Sequence, residues 1–360
     1  MKIAAVIMAG GKGERFWPKS RGNLPKQFLS LTDDGKTMLQ QSAHRILPLV
    51  IHEDIYIVTN REYVDLVREQ LPEIPDGNIL AEPKARNTAP CIGFAAAVMA
   101  QKYGDAVMLA LPADHIVKFE EMYIDTLTQA IEVAKEDGSE NLVTIGITPT
   151  YPEIGYGYIH FGRAEKSSMH GVYAVKRFVE KPDIDTAKEY LASGEYLWNS
   201  GMFVWKLSTI LKQFENLLPD TYQGVMEISK AVGAPEYEQV LHKCFDAFKP
   251  ESIDYGIMEK AKTIYTLPGN FGWDDTGNWL ALERINKTNE SGNMVKGDVI
   301  TIGTRNSIIM GSKKLIAAVG LEDVIIVEAD EAILICAKDA AQDVKKVVEN
   351  LKICNRNELT

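Results

Sequence analysis

The run Ile3-Ala4-Ala5-Val6-Ile7 carries no polar side chain on either face of an extended chain. Successive residues of a strand point to opposite faces, so such a run is stable only where both faces are covered. Apolar strand-like runs recur at 55–59, 106–111, 142–147, 172–179, 202–205 and 263–267. Stretches with helical spacing lie between them at 37–47, 62–70, 88–102, 122–135 and 186–192. This alternation predicts an α/β domain built on a mostly parallel, mixed sheet. Ligands of such sheets collect beyond the carboxyl ends of the strands. After about residue 288 the pattern changes. A polar turn at 289–293 precedes short β runs at 299–302, 307–310, 315–319, 324–327 and 333–336, and 345–351 reads as a closing helix. Their close spacing predicts a small β-rich module, so the chain is expected to divide into 1–288 and 289–360.

The first strand runs into Gly10-Gly11-Lys12-Gly13-Glu14-Arg15, and the turn is followed by Lys26 in PKQF. Glycines directly after a buried strand let backbone N–H groups approach an anion, with Arg15 and Lys26 as flanking cations. A Walker A loop is excluded, because Gly13 stands where Ser or Thr belongs after Gly11-Lys12. A dinucleotide fingerprint also fails, because Phe16 takes the place of the last glycine and Trp17-Pro18 follows. That failure disfavours an NAD-dependent oxidoreductase. A formal net charge of −11 argues against nucleic acid or an anionic membrane as the main partner. Local cations can still hold a nucleotide. No apolar run approaches the roughly 20 residues that span a bilayer, and the N-terminus makes a poor signal peptide. The four cysteines form no CxxC pair, so reduced thiols in the cytoplasm are expected.

Other polar groups sit at strand ends. Asp114 closes Leu109–Asp114 and reads equally as a ligand-facing carboxylate or as a cap for the next helix. Asp274 and Asp275 share a turn between Trp273 and Trp279; one can cap a helix at 278–286, but two exceed what a cap needs. Mg²⁺ in nucleotide sites takes one or two carboxylates plus phosphate oxygens, which Asp114 with Asp275 would supply. Glu180 and Lys181 end a strand before Pro182, and Asn199 precedes the 202–205 run. Gly155-Tyr156-Gly157 is either a hairpin turn or flexible backbone for a sugar face. In EPKARNTAP (82–90) Thr88 reads as the N-cap of an Ala-rich helix, leaving Glu82, Arg86 and Asn87 for a ligand. The histidines at 44, 52, 160, 170 and 242 share no metal-ligand spacing. Gly-x-Ser-x-Gly is absent, and no Cys/His pair reads as a nucleophile, which leaves direct transfer as the simplest chemistry.

Taken in order, GGKGERFWPKS with PKQF, EPKARNTAP, LPADH, PTYPEIGYGYI, FVEKPD, WNSGMFVW, SIDYGIMEK and GWDDTGNW resemble the sugar-nucleotidyltransferase family, in its mannose-1-phosphate guanylyltransferase branch. The resemblance spans about residues 1–350. The glycine–Arg–Pro–Lys element indicates the family at large; Trp17-Pro18, PKQF, the RNTAP loop and WNSGMF carry the branch. It implies a Rossmann-like nucleotidyltransferase domain with a C-terminal β segment, Mg²⁺ as cofactor, a homodimer, and GTP and α-D-mannose 1-phosphate as substrates of GDP-mannose formation. By motif, Gly10, Gly11, Gly13, Arg15 and Lys26 would cradle the triphosphate, and Glu82, Arg86, Asn87 and Thr88 would lie near guanine and ribose. Asp114 and Asp275 would hold Mg²⁺, the Asp-Thr-Gly context favouring Asp275 over Asp274. Gly155, Tyr156, Gly157, Glu180 and Asn199 would hold the mannose, and Lys181 its phosphate. Departures from the family pattern are Lys12, Lys19 and Gly256. Longer members carry a phosphomannose isomerase domain, which 360 residues are expected not to include. The alternatives are a pyrophosphorylase for another nucleotide and hexose 1-phosphate pair, and a non-catalytic nucleotide-sugar sensor; a sensor is expected to have lost a metal aspartate or a phosphate cation.

Overall fold

The computed structural model describes residues 1–165, 169–179 and 181–360. From the N-terminus the elements are β1 (Lys2–Ala9), α1 (Met38–Arg45), β2 (Ile55–Asn60), α2 (Val64–Gln70), β3 (Ile79–Glu82), α3 (Thr88–Tyr103) and β4 (Ala106–Pro112). Next come β5 (Ile116–Val117), α4 (Glu120–Lys135), β6 (Leu142–Ile147), β7 (Tyr158–Glu165), β8 (Tyr173–Val179), α5 (Ile184–Ser193) and β9 (Tyr196–Lys206). Three helices follow, α6 (Leu207–Leu217), α7 (Pro219–Ala231) and α8 (Tyr237–Ala247), then β10 (Ile264–Gly269), β11 (Trp273–Asp274) and α9 (Ala281–Ile285). The last elements are β12 (Met294–Lys296), β13 (Val299–Ile302), β14 (Ile308–Met310), β15 (Ile316–Val319), β16 (Val324–Glu328), β17 (Ile333–Ala337) and α10 (Val344–Ile353). No helix of the described residues is long and apolar enough to cross a membrane.

The chain forms two compact units. One comprises Met1–Gly10, Ala43–Pro112 and Phe119–Trp273; the other comprises Gly11–Ser42, Ala113–Lys118 and Asp274–Thr360. The first is built on a nine-stranded sheet in the order β3-β2-β1-β4-β9-β6-β10-β8-β7. The sheet is mixed: β1 runs parallel to β2 and β4, β2 parallel to β3, and β6 parallel to β10, while β9 lies antiparallel between β4 and β6. The apolar run at 3–7 is strand because both of its faces find cover. Ala4 and Val6 join Ile92, Phe94, Phe214 and Phe245 in one core, and Ala5 and Ile7 on the opposite face are equally buried. The run expected at 202–205 extends to Tyr196, because its first residues pair with β7. Helices α6, α7 and α8, for which the sequence offered no reading, pack with α3 on this core.

In the second unit β12, β14 and β16 pair in parallel, and so do β13 and β15. Pairing between alternate strands means that the chain coils, each turn stacking on the last. Met294, Ile308 and Ile325 are register partners up one side of the coil. Strand β14 is buried on both faces. Its Ile308 and Met310 join Phe16, Trp17, Trp279, Val344 and Val348, whereas Ile309 packs with Ala318 and Ile326. Full burial of an apolar side chain is worth roughly 1.5–3 kcal/mol, so Phe16 and Trp17 together fasten the segment after the glycine turn into this core.

Candidate active site

The glycine turn is tightly constrained only at Gly13. Its φ is +62°, and a Cβ there would lie 2.3 Å from Cβ of Lys26. Its carbonyl accepts bonds from the Phe16 N–H at 2.9 Å and from Ser20 Oγ at 2.7 Å. Gly10 and Gly11 differ. Neither has left-handed backbone; a Cβ at Gly11 would meet nothing within 4 Å, and one at Gly10 would meet only Glu82 Oε2 at 3.7 Å. Nothing described around them requires glycine.

Lys26 is buried, at 5% exposure. Its ammonium lies 2.7 Å from Asp114 Oδ2 and donates to the carbonyls of Asp275 at 2.9 Å and Thr276 at 3.0 Å. All three of its N–H donors are thereby engaged. The lysine read from the sequence as a phosphate cation ties together the two acidic segments of the site. Burial raises the Asp114 pKa, but the Lys26 ammonium and His115 more than offset that, and the carboxyl titrates below the usual aspartate range. Burial lowers the His115 pKa against the opposing pull of Asp114. Asp114 caps no helix, since α4 starts without a side-chain cap.

The two aspartates of the Trp-flanked turn have separate environments. Asp274 is buried, held by the Arg284 guanidinium through both carboxylate oxygens, with Oδ1 also accepting the Thr276 N–H at 2.8 Å. Asp275 lines an open cavity, with Oδ1 accepting the Gly277 N–H at 3.0 Å. The turn into α9 is closed by Asn278, whose Oδ1 accepts the Leu280 N–H at 2.9 Å, so neither aspartate serves as that cap. The cavity has a volume of about 440 Å³ and is lined by Lys12, Arg15, Lys26, Asp114, Asp275 and Lys345, with Gly13 among the rest. Two carboxylates lining one cavity with cations suit a hard cation shared with phosphate oxygens, so Asp114 and Asp275 fit Mg²⁺ in donor type and number. Among the described residues no cluster of three or more His, Cys, Asp or Glu could hold a metal by itself.

In the sheet unit, Gly10 follows β1, and Asn60 and Glu82 are register partners at the ends of β2 and β3. The Glu82 carboxylate is 5% exposed, and its Oε1 has no hydrogen-bond partner among the described residues; neither does Asn60 Oδ1. Burial pushes the Glu82 pKa up to about 8. Asn60 went unnoticed in the sequence, although it closes a parallel strand at the edge where ligands collect. The neighbouring loop is mostly structural. Arg86 donates to the carbonyls of Phe245 at 2.7 Å and Asp246 at 2.8 Å, the last turn of α8, where a cation suits the helix dipole. Asn87, at φ +69°, caps α3 by accepting the Thr88 N–H at 2.8 Å. The cap expected at Thr88 is therefore one residue earlier; the Thr88 hydroxyl instead accepts the Ile253 N–H at 2.9 Å.

Around Asn199 the structure brings together several predicted residues. Its backbone N–H donates to the Gly157 carbonyl at 2.8 Å, its Oδ1 accepts the Gly201 N–H, and its Nδ2 donates to Asp254 at 2.6 Å. Gly155 N–H is held by Glu153 at 2.7 Å. The Tyr156 ring meets Trp198 and Trp273 edge-on, each at 5.3 Å. Asp254, Trp198 and Trp273 were not picked out in the sequence as site residues, although each lies inside a motif quoted for the resemblance. Lys181 follows β8 with φ +20°. Glu180 lies outside the described residues.

Residues 4–292 match the family profile for nucleotidyl transferase, and 297–351 match that for the MannoseP isomerase/GMP-like beta-helix domain. The chain is 40% identical over 362 residues to a mannose-1-phosphate guanylyltransferase of Salmonella montevideo, covering 99% of this chain and 75% of that protein. It is also 40% identical to one of Klebsiella pneumoniae, with the same coverage. Among solved structures it is similar to one named as a mannose-1-phosphate geranyltransferase from Thermus thermophilus. The TM-score is 0.88 at 34% identity, covering 98% of this chain and all of that one. A structure named as mannose-6-phosphate isomerase from Helicobacter pylori aligns at a TM-score of 0.61 and 27% identity, over 76% of this chain and all of that one.

Proposed function

We propose a reaction for a chain that belongs to the nucleotidyl transferase family, in its mannose-1-phosphate guanylyltransferase branch: GTP and α-D-mannose 1-phosphate are converted to GDP-mannose and pyrophosphate. A phosphate oxygen of mannose 1-phosphate attacks the α-phosphorus of GTP in line. The new O–P bond forms as the bond to the β-phosphate oxygen breaks, and pyrophosphate leaves with that oxygen and its charge. No covalent enzyme intermediate is needed, so positioning and charge carry the catalysis.

The observation that carries the reading is the cavity lined by Arg15 and Lys12 together with Asp114 and Asp275. Arg15 and Lys12 oppose charge on the departing pyrophosphate, and the open backbone at Gly10 and Gly11 accommodates phosphate oxygens. Lys26 keeps Asp114 against the 275–276 backbone, so the two carboxylates stay in place. Mg²⁺, when bound to Asp114 and Asp275, offsets charge on the reacting phosphates. In the sheet unit, the buried Glu82 carboxylate, whose Oε1 has no hydrogen-bond partner among the described residues, supports guanine as the base. A carboxylate accepts two adjacent donors, and guanine offers its N1–H and N2–H on one edge; uracil, thymine and adenine offer no such pair. Tyr156, Trp198 and Trp273 form an apolar wall suited to a sugar face beside the Asp254-held Asn199, with Lys181 for the sugar phosphate. The exposed apolar row of Ile300, Ile302 and Val319 supports a homodimer. Use of GTP and four unbridged cysteines support the cytoplasm as the compartment.

The test is pyrophosphate release with Mg²⁺ across four nucleoside triphosphates and three sugar 1-phosphates. Turnover concentrated on GTP with mannose 1-phosphate is expected. Another preferred pair would keep the chemistry and overturn the role of Glu82, and silence across the grid from folded protein would favour a nucleotide-sugar sensor.

A further inference from the structure

We propose that Lys345, in the segment matching the β-helix domain, binds the terminal phosphates of the nucleotide and the pyrophosphate product. The proposal rests on the nucleotidyl-transfer reading above and adds a residue that lies outside the 4–292 nucleotidyl transferase match. Lys345 lines the same cavity as Lys12, Arg15, Asp114 and Asp275.

Its neighbours account for the other charges. Lys346 pairs with Asp343 at 2.9 Å, and Lys352 pairs with Glu14 at 2.7 Å. Glu14 also lines the cavity, so its charge is matched from α10, as that of Asp114 is matched by Lys26. Among the described residues no carboxylate lies within ion-pair distance of Lys345. The cavity therefore carries the cations Lys12, Arg15 and Lys345 together with the Asp275 carboxylate, a balance that leaves positive charge for a polyphosphate.

The position of Lys345 is fixed by packing. Val344 and Val348 are 2% and 3% exposed in the core that contains Phe16 and Trp17. Lys352, two turns along α10, holds Glu14 of the loop. Trp17 Nε1 donates to the Leu359 carbonyl at 2.7 Å, so the residues beyond α10 grip the same loop. A lysine in the first turn of a helix anchored in this way is held beside the glycine turn, whereas a freely solvated surface lysine has no such restraint. The coil and its closing helix thus supply part of the phosphate site.

The experiment titrates inorganic pyrophosphate into the full chain, wild type against Lys345→Ala and Lys345→Arg, in a calorimeter at low salt. It also measures the KM for GTP and for mannose 1-phosphate. Loss of one cation from a partly exposed phosphate site is expected to weaken pyrophosphate binding roughly five- to tenfold. Arginine should restore it, the KM for GTP should rise in parallel, and the KM for mannose 1-phosphate should stay within about twofold. The side chain is exposed, so thermal unfolding should be unchanged and folding does not confuse the result. Equal pyrophosphate affinity of the alanine variant and the wild type overturns the proposal, as does a wild type that binds no pyrophosphate. Pyrophosphate binding does not depend on base or sugar. If the alanine variant weakens it while no substrate pair turns over, the reaction fails and the Lys345 site stands.

Discussion

Replacing Glu82 by Gln gives the sharpest test of the base edge. The carboxyl is buried with one oxygen unpartnered, and its pKa is pushed from 4.5 up to about 8. A pKa raised in the folded state favours the protonated form there, so the associated stability is fully present below about pH 4.5 and is lost as the pH rises through about 8. A shift of this size corresponds to roughly 5 kcal/mol across the window at 1.36 kcal/mol per unit, and roughly 3 kcal/mol of that is gone by pH 7. Glutamine has nearly the same shape and cannot ionise, so the variant should lack this slope. Denaturant unfolding of both proteins at pH 5, 7 and 9 reads the difference. Near pH 5 the two should be close; by pH 9 the variant should be the more stable by several kcal/mol. Saturating GTP should shrink the gap, because two guanine N–H donors stabilise the ionised carboxylate. The variant should lose at least about a hundredfold in kcat/KM for GTP, since an amide cannot accept from both donors. Parallel stability curves for the two proteins from pH 5 to pH 9 would refute the reasoning.

The paired aspartates should separate cleanly. Asp275→Asn should lower kcat by about 10²–10³ with little change in unfolding, by analogy with other preorganised electrostatic sites. Asp274→Asn breaks the Arg284 pair and should cost about 1–3 kcal/mol of stability, measured by denaturation. Gly13→Ala places a Cβ 2.3 Å from Lys26 Cβ on left-handed backbone, so it should cost about 2 kcal/mol or more and depress kcat by displacing Lys26. Ile302→Lys puts a charge on the exposed apolar row; light scattering should show the dimer mass falling to that of a monomer, and an unchanged mass would remove that row from the interface.

How much of this was legible in the sequence depended on whether the signal was local. Strands β1, β2, β4 and β6 announced themselves because burial on both faces keeps their runs almost wholly apolar, with no charged residue and only Thr59 and Thr144 as buried polar residues. The short β runs after 295 did so because β14 and β16 are apolar and buried along nearly their whole length, and β13, β15 and β17 place exposed residues between less exposed ones. Helices α6, α7 and α8 were missed for a related reason. None of the three starts with a side-chain cap bond, and α6 and α7 meet with only Leu218 between them, so Pro219 at the first position of α7 is the one local boundary signal among them. The site shows the same division. Gly13 and the Asp-Thr-Gly turn are local features, and Gly13, Asp275 and Gly277 line one cavity. The engagement of Lys26 with Asp114 joins residues far apart in sequence, and no spacing rule discloses that a lysine expected at a phosphate has its donors occupied. Residues 11–42 share a compact unit with 274–360, so the glycine turn and the coil belong to one folded body although nearly the whole sheet unit separates them in the chain. Lys345 is the clearest case. In the sequence it is indistinguishable from Lys346, and only the burial of Val344 and Val348 on one side of α10 determines which of the two lysines lines the phosphate cavity. A cation placed in that way is invisible to any reading that stops at motifs, because the information that selects it resides in the packing of its apolar neighbours.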